Sequence, residues 1–205
     1  GWEEERRTLS IMESQGRALA LSAQHIGLGC WRGDCEGEFK LGSTQLQECV
    51  ARWQRRLKSA SKPLDSEQAN IGLASAVAGL AELRYCEASV ASRTNREETK
   101  RLGNESITLF HQAIDMMEDA KVGYTTRCCE MMKDLGKVYR FLAGFHTQYA
   151  SLGHQWLEKS LERQQKLMGK RHPNTTNIYR MLGKSVEDED GDEDEDDQDF
   201  VNNEA

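Results

Sequence analysis

Apolar residues recur at helical spacing along nearly the whole chain, and this period limits the fold more than any other feature. In residues 44–58, Leu46, Val50, Trp53 and Leu57 stand at i, i+4, i+7 and i+11. In residues 104–119, Ile107, Phe110, Ile114 and Met117 stand at i, i+3, i+7 and i+10. Each set makes one stripe along a helix of 3.6 residues per turn. Residues 66–91 carry Ile71, Ala74, Val77, Ala78, Ala81, Tyr85 and Ala88, small enough for neighbouring helices to approach closely. No segment sustains the period-two alternation of a strand bounded by turn residues. With only 2 prolines and 7% aromatic residues, the chain also lacks the turn and β-forming residues of a sandwich. The expected fold class is all-α.

Breaks in the pattern divide this helical chain. Glycines cluster at Gly29, Gly33, Gly37 and Gly42, and further interruptions fall at Ser59–Pro63, Ser92–Asn95, Gly123, Gly144 and Gly169–Asn174. Pro63 is followed by Asp65 and Ser66, and His172-Pro173 by Asn174, all suited to opening a helix. The spacing predicts helices at about 5–29, 43–59, 65–92, 95–120, 123–143, 145–169 and 174–186. Seven helices joined by short connections imply stacked helical hairpins, an α-solenoid. The last helix has no second helix to pair with. Its apolar face, with Ile178, Met181 and Leu182, either caps the array or self-associates with another subunit or a further repeat.

Charge divides the chain again. Of its 205 residues 34 are acidic and 27 are Lys or Arg, a net of -7. Eleven of the acids lie in the thirteen residues 187–199, and Glu204 adds another. The remaining 22 acids face all 27 bases, so residues 1–186 carry about +5 and residues 187–205 carry -12. This places a helical domain at 1–186 and an acidic tail at 187–205 that is too charged to bury and is expected to be disordered. The tail has three candidate roles: a solvated arm, an intramolecular competitor for a basic groove, or a trap for a basic partner. A body charge of +5 beside an attached polyanion argues against direct nucleic-acid binding. No apolar run reaches the length of a membrane span. The N-terminal Trp2-Glu3-Glu4-Glu5 lacks the basic start of a signal peptide. A cytoplasmic or nuclear protein with no membrane contact is expected.

A repeat search refines the architecture. Met132-Lys-Asp-Leu135-Gly136-Lys-Val-Tyr139 fits a pattern of a large residue, Leu-Gly and a second large residue, and Tyr179-Arg-Met-Leu182-Gly183-Lys-Ser-Val186 fits it again. Looser copies centre on Leu80-Ala81 and Ile26-Gly27. A small residue beside a Leu in each first helix lets the second helix of the hairpin cross closely. The stretch Leu161 to Gly183, with Leu167-Met168-Gly169-Lys-Arg-His172-Pro173-Asn174-Thr175 at its centre, resembles the tetratricopeptide repeat (TPR) family, in its kinesin light chain and nephrocystin-like subtype. In that subtype a second helix ends in Leu-Gly-x-x-His-Pro; here Met168 replaces the Leu. The resemblance covers 123–186 well and extends more loosely over 12–186.

Catalytic and cofactor motifs are missing from this pattern. The chain has no GxGxxG, P-loop, HExxH or GxSxG segment, and His25, His111, His146, His154 and His172 share no spacing. No enzyme activity and no cofactor are expected. Of the six cysteines, Cys30 and Cys35 with His25 come nearest to a metal pattern, but no second Cys pair completes a zinc site. Reduced, packed thiols are the plainer expectation for these and for Cys49, Cys86, Cys128 and Cys129.

The resemblance implies a non-enzymatic scaffold whose first helices line a concave groove for a peptide or a partner helix. Projected onto this chain, the groove-facing residues are Lys133, Lys137 and Arg140, followed by Arg180 and Lys184. Lys133, Lys137 and Arg140 stand at i, i+4 and i+7, on one helix face, as a candidate cationic patch for an acidic peptide. The clamp that other family members use for chaperone carboxylates would need Lys and Asn where this chain has Gln24, Leu28 and Gly79. It would also need Lys and Arg where Glu130 and Asp134 stand, so that ligand is not expected. Ligands of the kinesin light chain subtype are acidic with an aromatic anchor, a chemistry that Trp2-Glu3-Glu4 itself resembles. The alternative function is an acidic-tailed chaperone for histones or other basic proteins.

Overall fold

The computed structural model describes residues 2–29 and 33–186. Those residues form seven α-helices and no strand. In chain order they are α1 (Trp2–Gly27), α2 (Cys35–Ser59), α3 (Pro63–Ala91), α4 (Arg96–Asp119), α5 (Thr126–Phe141), α6 (Gln148–Met168) and α7 (Pro173–Leu182), with a 3-10 turn at Leu142–Gly144 after α5. The acidic tail, with its expected disorder, lies outside the described residues. None of these helices is long and apolar enough to cross a membrane.

Local chemistry accounts for where the helices begin and end. Side chains of Asp34, Asn95, Thr125 and His172 accept hydrogen bonds from the backbone N–H groups of Gly37, Glu98, Cys128 and Asn174. Each satisfies a donor that the first turn leaves without a helical partner. Pro63 and Pro173 occupy first-turn positions where no N–H is needed. Two boundaries differ most from the sequence expectation. Helix α2 begins at Cys35 rather than near 43, because Asp34 caps it and the glycines at 37 and 42 lie inside it. Helix α7 stops at Leu182 rather than 186, because Gly183 adopts a left-handed φ of 73°.

The helices pair as antiparallel hairpins with a recurring contact. Ser160 Oγ donates to the Cys129 carbonyl across α5 and α6 at 2.7 Å, and Ser106 Oγ donates to the Ala81 carbonyl across α3 and α4 at 2.7 Å. Cys49 Sγ lies 3.6 Å from the Leu9 carbonyl in the corresponding place between α2 and α1. Seven residues further along, Gly16 meets Gly42 and Gly136 meets Gly153. The hairpin register therefore equates Gly16, not Gly27, with Gly136, and equates Ala81 with Cys129. Gly27 instead sits in the last turn of α1 against Val90 and Cys35. Leu-Gly spacing marks any close approach, and a helix end satisfies it as readily as a crossing.

Successive hairpins lie side by side. Trp2 contacts Gln68, Glu13 contacts Ser75 and Gln24 contacts Cys86, so α1 and α3 run parallel. Arg127 reaches Ser75, and Tyr85 packs edge-on against Phe141 at 5.5 Å, which aligns α5 with α3 in the same sense. In the second layer Asn104, His111 and Glu118 of α4 meet Tyr149, Trp156 and Arg163 of α6 at a constant offset. The main core lies between the layers and includes Phe110, Ile114, Met117, Met131, Leu135 and Leu142. Each such side chain contributes roughly 1.5–3 kcal/mol by leaving water. The expected stripe of α4 is buried, and of the α2 stripe Leu46 and Trp53 are buried while Val50 and Leu57 are partly so. A smaller cluster joins α6 to α7 through Leu157, Leu161, Ile178 and Tyr179.

Candidate functional site

Three parallel first helices, α1, α3 and α5, present one continuous face. Two clefts open on it. The first, of about 390 Å³, lies between the N-terminal halves of α1 and α3, over Trp53, Ile71 and Gly72, with Arg6, Arg7 and Gln68 at its edge. Gly72 is required there, since a Cβ would fall 2.4 Å from the Trp53 ring. The second, of about 170 Å³, lies further along and combines Leu21, Tyr85 and Phe110 with Arg17, Asp134 and Lys137. Leu21 is 54% exposed at its rim, an apolar contact presented to solvent.

A charge network joins the three helices between these clefts. Arg17 binds Glu13 at 3.0 Å, pairs with Glu82, and donates to the Ser75 carbonyl at 2.6 Å. Ser75 Oγ donates to Glu13 at 2.7 Å, and Arg127 of α5 reaches Ser75 Oγ at 3.3 Å. Arg127 Nη2 is buried without a hydrogen bond, 3.8 Å from Glu13 and 3.7 Å from Glu82. Burial opposes the charge on Arg17, but Glu82 and Glu13 outweigh it and hold the guanidinium above its ordinary pKa. Burial pushes the Glu82 carboxyl up, against the pull of Arg17 and Arg127. The floor is thus a set of fixed, mutually compensated charges. None of its members was a candidate from sequence. The readable signals were Glu13 and Arg17 one turn apart, and Glu82, an acid amid the small apolar residues of α3.

The five cations expected to line the groove fall in different surroundings. Lys133 and Lys137 lie on α5, where Lys137 pairs with Asp134 at 2.7 Å and faces the smaller cleft. Arg140 is turned toward α7 and donates to the Met181 carbonyl. Arg180 is exposed on α7. Lys184 reaches Glu158 of α6 at 3.4 Å. The structure therefore brings Lys137 into the cleft, and ties Arg140 and Lys184 to the junctions of α7 with α5 and α6. Glu130 and Asp134 bind Arg127 and Lys137.

The remaining chemical candidates are held by the fold. Trp2, ligand-like in sequence, donates its indole N–H to Gln68 at 2.9 Å, packs edge-on against Trp53 and lies under the Arg56 guanidinium. Burial pushes the Cys86 thiol up to about 12, and Cys49 and Cys129 up to about 11. Burial also raises Cys128 and Cys35. Such groups stay protonated and are poor nucleophiles and metal ligands. Cys30 lies outside the described residues. His111 accepts or donates at 2.9 Å to the Tyr139 hydroxyl and packs against Trp156 at 5.2 Å. No family model, no curated protein and no solved structure matches this chain.

Proposed function

We propose that the protein is a non-enzymatic interaction module, an α-solenoid of TPR-like hairpins that receives a peptide or partner helix on the α1, α3 and α5 face. The observation that carries this reading is the side-by-side parallel alignment of those helices, with open clefts on either side of a compensated charge network. Exposed Leu21 supplies an apolar anchor, and Lys133 and Lys137 supply positive charge toward the α5 edge. This combination favours a ligand with an aromatic or aliphatic anchor and acidic flanks. Fluorescence titration of the full chain with a synthetic peptide of Trp flanked by acidic residues tests it. Binding that weakens in both Leu21→Asp and Lys133→Glu supports the reading. No binding, or binding indifferent to both substitutions, overturns it.

The second reading, a chaperone for histones or other basic proteins, draws on the twelve acids of residues 187–205. Capture of core histones that survives Leu21→Asp but is lost when those acids are changed to Asn and Gln favours it over the groove.

A further inference from the structure

The net positive charge of the body comes from the C-terminal part of the helical chain. Residues 123–186 hold eleven Lys and Arg against four acids, a net of +7, whereas residues 1–122 hold sixteen against eighteen, a net of -2. Within that end the four carboxylates are already engaged. Glu130 binds Arg127, Asp134 binds Lys137, Glu158 binds His154 and Lys184, and Glu162 binds Lys166. Lys159 and Arg163 share Glu118 of α4. Arg140 is satisfied by a carbonyl and not by a carboxylate. Lys133 and Arg180 have no ion pair among the described residues. Elsewhere Arg101 is matched by Glu98 and Glu105, and Arg52 and Arg56, at the end of α2, by Glu48 and Glu5.

The chain leaves the fold in the middle of this surplus. The Arg140–Met181 bond sets the end of α7 against the end of α5. Gly183, with φ of 73°, then turns the backbone out of α7. From Arg140, Lys137 and Lys133 run back along one face of α5 over about 10 Å, at 1.5 Å per residue. The nineteen residues 187–205, with -12 of charge, start at this point. A segment of that length spans roughly 20–25 Å. Arg52, Arg55 and Arg56 sit at the opposite end of the helices, in the last turns of α2.

We propose that residues 187–205 bind in cis to the cationic face of α5 and α7, centred on Lys133, Arg140 and Arg180. The occupant is the chain's own acidic segment, recognised by charge rather than by shape. Contact neutralises the +7 end, and tethering holds the segment near its site at an effective concentration of about a millimolar. The proposal does not depend on a groove ligand, so a failed peptide titration leaves it standing.

The test compares two forms of the full chain by amide NMR. One is native; in the other the eleven acids of 187–199 become Asn or Gln, with length unchanged. The amides of Lys133, Lys137, Arg140 and Arg180 are expected to differ between the two at about 50 mM NaCl, and the differences to collapse by about 0.5 M as screening lengths shrink to a few ångströms. A synthetic peptide of residues 187–205 should restore the native shifts in the neutralised chain. It should bind that form about tenfold more tightly than the native chain, whose own segment competes. Lys133→Glu with Arg180→Glu should abolish this binding while helicity stays unchanged. Differences confined to residues 183–186, peptide binding centred on Arg52–Lys58, or shifts that grow with protein concentration and so report a second copy would each overturn the proposal.

Discussion

Gly136 and Gly153 face each other where α5 crosses α6. A Cβ on Gly136 would stand 3.0 Å from the Gly153 carbonyl oxygen, and one on Gly153 would stand 2.9 Å from the Gly136 carbonyl oxygen. Gly16 and Gly42 repeat the arrangement between α1 and α2, at 3.3 and 3.0 Å. Side chains of Leu157, Arg140 and Leu46 crowd the same positions, but the carbonyl oxygens belong to the backbone and cannot rotate away, so both hairpins cross in close contact.

Gly136→Leu is expected to destabilise the protein by about 1–3 kcal/mol through overpacking. Gly153→Ala should also lose stability, although alanine inside a helix ordinarily gains roughly 0.5–1 kcal/mol over glycine. The clash with a fixed carbonyl outweighs that gain. Gly144→Ala, with nothing within 4 Å of the added Cβ, is the control and should leave the urea midpoint unchanged. Equal midpoints for all three variants would remove the crossing.

Arg17 and Glu82 should act as a coupled pair. Arg17→Met leaves Glu82 and Glu13 short of their shared cation, and should cost about 3 kcal/mol, the lower end for a buried pair, because the two side chains keep 15% and 27% exposure. Adding Glu82→Gln should recover part of that loss, giving a coupling of about 1 kcal/mol or more in a double-mutant cycle. Strict additivity would mean that the network contributes only as separate surface charges.

His111 predicts an acid sensitivity. Burial is the main cause that lowers its pKa; Lys159 adds to this and Asp115 opposes it. Neutral His111 is therefore favoured in the folded state, while the unfolded chain takes up a proton near pH 6.5. Stability should fall as pH drops below about 6.5 and level off below the folded pKa. Unfolding curves between pH 7.5 and 5, in urea, should flatten in His111→Asn, which removes the titrating ring; an identical slope in the variant would assign the loss to other groups.

The buried thiols should be silent in the native protein. Cys49, Cys86, Cys128 and Cys129 are 3% exposed or less, and burial holds each thiol protonated well above neutral pH. Alkylation at about pH 8 followed by mass spectrometry should leave these four unmodified until denaturant is added. Rapid native labelling of any of them would show that its helix opens locally.

Seven helices and most of their ends were legible in the sequence, because both signals are local. The stripe Ile107, Phe110, Ile114 and Met117 records which face of α4 avoids water, and Pro173 and Asn95 record where a helix can start. Interhelical matters were not legible. Whether Gly27 or Gly16 marks a crossing depends on which residue of α2 lies opposite, and Gly42 is known to be opposite only once the hairpin closes. The cationic row behaves likewise. Lys133, Lys137 and Arg140 share a face by spacing alone, but the tertiary fold ties Arg140 to the Met181 carbonyl and gathers Glu13, Arg17, Glu82 and Arg127 from three helices. A period of 3.6 residues reports burial within one helix. Register and charge pairing between helices arise only from packing, where side chains distant in sequence come within a few ångströms.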